Sequence, residues 1–117
     1  MSIYTLVKFK CDDEHLKNHL ADYFAAIVKD PSNEEIEILF KNMSVLAGGV
    51  DVAKRFEGSI EYLGELEGMD NDCRTKTVTL RFACGEACES FISAIEDVLR
   101  DLGASSIESE VVATNDG

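Results

Sequence analysis

Hydrophobic and polar positions alternate from the start of the chain. Ile3, Thr5, Val7 and Phe9 fall on one face and Tyr4, Leu6, Lys8 and Lys10 on the other, so residues 2–10 predict a strand. The period then changes. Asp12 and Asp13 supply an N-cap and acidic first-turn residues. Leu16, Leu20, Tyr23, Phe24 and Ile27 follow at helical spacing, and Pro31 stops that helix. Ser32-Asn33-Glu34-Glu35 has the form of a capping box. It opens a second helix with Ile36, Leu39, Phe40 and Met43 on its apolar face, ended by Gly48-Gly49. Asp51 predicts one more short turn, with Val52, Ala53 and Phe56 inward.

Alternation returns at 59–67, where Ile60, Tyr62 and Leu66 point one way and Glu61, Leu63, Glu65 and Glu67 the other. Gly68 to Asp72 reads as polar turn material. Residues 75–83 predict a strand with Val78, Leu80 and Phe82 inward. A helix over 86–102 carries the stripe Cys88, Phe91, Ile92, Ile95, Val98, Leu99 and Leu102, with Gly103 at its left-handed end. Residues 106–113 give a last strand and 114–117 a frayed tail.

This order predicts a single α+β domain over 1–117, the ferredoxin-like split βαβ arrangement. Its four-stranded antiparallel sheet has the order 4-1-3-2, with helices on one face and a helical insert at 32–56 before the second strand. The fold class leaves the function open.

Charge narrows the choice of partner. The 117 residues carry 23 acids against 11 bases, a formal charge of −12. Six acids and no base lie between Glu57 and Asp72. Eight acids and one base, Arg100, lie from Glu86 onward. Such a surface repels nucleic-acid phosphates and anionic membranes. No apolar run approaches the ~20 residues of a membrane helix, and Met1 to Thr5 does not resemble a secretory leader. The expectation is a cytoplasmic protein with reduced thiols at Cys11, Cys73, Cys84 and Cys88.

Candidate chemistry is sparse. His15 and His19 stand one helical turn apart with Asp22 beyond them, a spacing that chance also supplies. Taking the first and third strands as parallel neighbours, Cys11 and Cys84 both lie at one end of the sheet. Cys11, His15, Cys84 and Cys88 then make a candidate zinc or redox set. Against it, Cys88 fits a buried stripe and the Cys-x-x-x-Cys spacing is not that of a zinc knuckle. No nucleophile elbow or phosphate loop occurs, so an enzyme is not expected and no cofactor is implied.

The function expected on these grounds is a small acidic inhibitor of the immunity type. It would neutralise a basic partner such as a nuclease toxin by occluding its substrate groove. The candidate contact residues are Glu61, Leu63, Glu65, Glu67, Asp70, Asp72, Glu108 and Glu110. The alternative is a ligand-sensing or metal-binding domain that forms a homodimer through its sheet.

Overall fold

The computed structural model describes residues 2–29, 32–49, 51–56, 60–85 and 88–114. Pro31 as a helix stop, Glu57 and Glu86 in the acidic runs and the tail from 115 onward lie outside the described residues. The strands are β1 (Ser2–Cys11), β2 (Leu66–Asp72), β3 (Thr77–Phe82) and β4 (Ala104–Thr114). The α-helices are α1 (Glu14–Lys29), α2 (Asn33–Leu46) and α3 (Glu89–Leu102). Two 3-10 helices, Val52–Phe56 and Ile60–Glu65, join α2 to β2. The sheet order is β2-β3-β1-β4 with every neighbour antiparallel, as the split βαβ pattern predicts.

Local chemistry accounts for the helix ends. Asp13 Oδ1 accepts from the backbone N–H of His15 (2.9 Å) and Leu16 (3.4 Å) and caps α1. Ser32 caps α2 by accepting from Glu35 N–H at 3.3 Å. Gly103, at φ 108°, closes α3 in the left-handed conformation and turns the chain straight into β4.

One continuous core lies between the sheet and the helices. Val7, Phe9, Val78, Leu80 and Phe82 line the covered face, and Phe91, Ile92, Ile95, Val98 and Leu99 descend from α3. Phe82 and Phe91 meet edge to face with centroids 5.4 Å apart. The α3 and α2 stripes match the periodic reading. The α1 stripe is rotated: Lys17, Leu20, Ala21, Phe24 and Ile27 are buried, whereas Leu16 and Tyr23 are only half-buried. A lysine in that row is read as polar from sequence, but its long apolar stem can pack where α1 crosses β2.

The second strand departs most from expectation. Residues 60–65 form a 3-10 helix, and β2 occupies the segment that reads as a turn. Ile60, Leu63 and Leu66 recur every three residues, the period of a 3-10 helix, and this competes with the period of two. The true turn is Cys73 to Lys76. Asp72 Oδ1 accepts from Arg74 N–H (2.8 Å) and Thr75 N–H (3.4 Å), and Lys76 takes φ 58°. An edge strand tolerates polar residues, because only Leu66, Met69 and Asn71 face α1.

Candidate protein-binding surface

The uncovered face of the sheet is set by register. Tyr4, Leu6, Lys8 and Lys10 of β1 pair across from Arg81, Thr79 and Thr77 of β3 and from Val112, Glu110 and Glu108 of β4. On the far side Gly68, Asp70 and Asp72 of β2 share this face. The basic residues Lys8, Lys10 and Arg81 therefore occupy the middle two strands, and carboxylates occupy both edges. Three strand spacings separate the two rows, about 14 Å.

Part of this charge is neutralised within the face. Lys8 Nζ lies 3.8 Å from Glu110, and Arg81 Nε lies 3.0 Å from Glu67. Glu67 is the extra residue of a bulge where the β2–β3 register shifts between Leu66 and Gly68. The Arg81 guanidinium sits 5.9 Å from the Tyr4 ring centroid and would lie 3.3 Å from a Cβ at position 68. Gly68 thus admits Arg81 flat against the strand. Asp70 and Glu108 take part in no ion pair among the described residues. The carboxyl of Asp72 is held below its ordinary range by the N–H of Arg74 first and that of Thr75 second.

The candidate residues divide accordingly. Glu67, Asp70 and Asp72 lie together at the β2 edge, and Glu108 and Glu110 at the β4 edge. Glu65 is exposed at the end of the second 3-10 helix. Glu61 belongs to that helix too, and its side chain lies outside the described residues. Leu63 is not on the sheet face. It is 1% exposed in the core, because the 3-10 helix turns every third residue inward. The apolar centre of the face is therefore Tyr4, Leu6 and Val112.

The cysteine and histidine set does not converge. β1 and β3 run antiparallel, not parallel. Cys11 pairs with Ala104 at one end of the sheet, whereas Thr5 Oγ1 donates to Cys84 O (2.7 Å) at the other. Six residues of extended strand, about 20 Å, separate Thr5 from Cys11. Cys84 and Cys88 are not reduced thiols but a disulfide, their Cα atoms 6.2 Å apart, with Cys88 directly before α3. Cys11 is buried, and burial first, then Asp13, pushes its thiol pKa up. His15 and His19 are exposed on α1, and His19 stacks on Tyr23. Among the described residues no group of three or more His, Cys, Asp or Glu is placed to hold a metal. No described helix is long and apolar enough to cross a membrane.

Periodicity did not signal two clefts that flank β4. One of about 310 Å³ lies on the helix side, between Ile92 of α3 and Thr5, Ser109 and Val111 of the sheet. The other, about 420 Å³, lies on the open side among Leu6, Lys8, Glu108 and Glu110. The exposed Ile3 and Val111 are the available signal for the first, since both fall on the covered face beyond the start of α3. No family model matches the chain, and no curated protein or solved structure matches it.

Proposed function

We propose that this chain is a small acidic inhibitor that binds a basic protein, such as a nuclease, and occludes its substrate groove. The observation that carries the reading is the placement of carboxylates at both edges of the open sheet face: Glu67, Asp70 and Asp72 on one side, Glu108 and Glu110 on the other. A nuclease groove is basic because it holds phosphates. Two acidic rows about 14 Å apart present opposed charge to such a groove and raise the rate of encounter.

The test is capture of the partner from the native cell, followed by stopped-flow association over a range of salt. A basic partner is expected, with an on-rate that falls steeply as salt rises. Replacing Glu61, Glu65, Glu67, Asp70 and Asp72 by their amides is expected to slow association at low salt and less at high salt, because exposed charges are screened over roughly 8–10 Å. Replacing Glu108 and Glu110 in the same way reports on the opposite edge. An on-rate unchanged by salt and by both sets of substitutions would refute the reading.

A further inference from the structure

We infer that the β4 edge accepts an extended segment of the basic partner as a fifth strand, with alternating basic and apolar side chains entering the two clefts that flank Ser109 and Glu110. This rests on the acidic-inhibitor reading and adds to it the mode of contact.

Three observations lead to this edge. The first is backbone availability. β4 is the outer strand, so the N–H and C=O groups on its far side have no strand partner among the described residues. From Glu108 to Thr114 it pairs with β1 in unbroken register, and the irregularity between Lys8 and Lys10 comes only after that stretch. Residues 108–111 and Ala113 are exposed. The opposite edge is less suitable, because β2 is shorter and carries the bulge at Glu67.

The second observation is the pair of clefts. Successive side chains of an added strand point to opposite faces. On the open side they would meet Glu108 and Glu110 beside Leu6, a cleft suited to the apolar stem and charged head of a lysine or arginine. On the helix side they would meet Val111 and Ile92, in a cleft that Thr5, Ser109, Glu89 and Glu110 also line; its two apolar side chains suit a valine or isoleucine. Ser109 and Glu110 line both clefts, which places the two clefts on either side of the same stretch of β4 edge.

The third is charge, which selects the occupant. A second copy pairing antiparallel through β4 about Ser109, the stretch that the clefts flank, would set Glu108 against its mate's Glu110, and like charges opposed across strands are destabilising. Opposite charges at those positions are favourable. Among the described residues Glu108 takes part in no ion pair, and the ion contact of Glu110 is the long 3.8 Å one with Lys8.

The experiment uses the full chain and two synthetic ten-residue peptides of the same composition, one alternating lysine with valine and one with the lysines in a block. Amide hydrogen exchange and backbone NMR shifts are followed as each is added. The alternating peptide is expected to bind about tenfold tighter than the block peptide, since the block form offers a correctly placed lysine–valine pair only at its single junction and in one register. It is expected to protect amides within 107–113 and to leave those of 66–72 unchanged. N-methylation of alternate residues in the peptide should abolish the protection while keeping the charge, which separates strand addition from simple ion pairing. Equal binding of the two peptides without protection of β4 overturns the inference, and so does protection at β2. In either case the reading of a basic partner still stands. Binding of neither peptide at low salt removes both. Protection of β4 by self-association, seen as a dimer in sedimentation without peptide, assigns the edge to a second copy and also overturns the inference.

Discussion

Leu63 distinguishes the two periods that compete in its segment. If residues 59–67 were an alternating strand, Leu63 would stand on the open face beside Glu61 and Glu65, and its truncation would change little. In the structure it is 1% exposed within the 3-10 helix Ile60–Glu65, part of the core that includes Leu66. Truncation of a buried leucine removes its transfer free energy and leaves a cavity, at a cost of about 2–5 kcal/mol. We take about 3 kcal/mol for Leu63→Ala, because the segment lies at the margin of the core, where some collapse is available. With a urea slope of about 1.5 kcal/mol/M for a domain of this size, the unfolding midpoint should fall by about 2 M. An unfolding entropy of about 2.1 cal/mol/K per residue converts the same loss to about 12 °C in Tm. Val45→Ala is the matched control, since Val45 is 73% exposed on α2 and should change stability by less than about 0.5 kcal/mol. A loss below about 1 kcal/mol for Leu63→Ala, at unchanged slope, would return Leu63 to the sheet face and refute the helical account.

Reduction of the Cys84–Cys88 disulfide should lower Tm. Cross-linking over a separation of 4 closes a short loop, worth about 2 kcal/mol in the chain-entropy account, or about 8 °C by differential scanning calorimetry with and without reductant; an unchanged Tm would mean that the thiols are unpaired in solution. Asp72 should titrate below the ordinary range of an aspartate in a carboxyl NMR titration, because the folded state offers its carboxylate the N–H groups of Arg74 and Thr75. A pKa depressed on folding gives stability that is present above the unfolded value and is lost as pH falls through the folded one, so Asp72→Asn should flatten acid unfolding in that window.

The legibility of the sequence follows from how strongly each element is buried. α3 buries a full stripe from Phe91 to Leu102, and a period of 3.6 over fourteen residues has no rival interpretation. β1 lies between two strands with one face covered, and its alternation is equally plain. Strand order followed from element order, because right-handed crossovers leave few alternatives. β2 was not legible. Its polar run Gly68-Met69-Asp70-Asn71-Asp72 is held by pairing with β3, a partner that local composition does not contain. The acidic edges were visible as charge runs, but the split into two rows needed the register, and so did the failure of Cys11 and Cys84 to meet. Lys17 shows the limit on α1: its residue type signals surface, and only the crossing with β2 reveals the packing of its stem.

The position of β1 carries a cost in the order of assembly. The strand is made early, yet both its neighbours come much later: β3 begins at Thr77, and β4 reaches Thr114, paired with Ser2. At a synthesis rate of about 5–20 residues per second, β1 waits several seconds for β3 and longer for β4. During that interval Val7 and Phe9 have α1 to lean on but no sheet. Closing contacts across such sequence separations also slows refolding from denaturant. The nascent chain is thus most exposed to mispairing while β1 is out and β4 is not. Charge gives some protection in that window, since Asp12, Asp13 and Glu14 follow the strand directly, at the entry to α1.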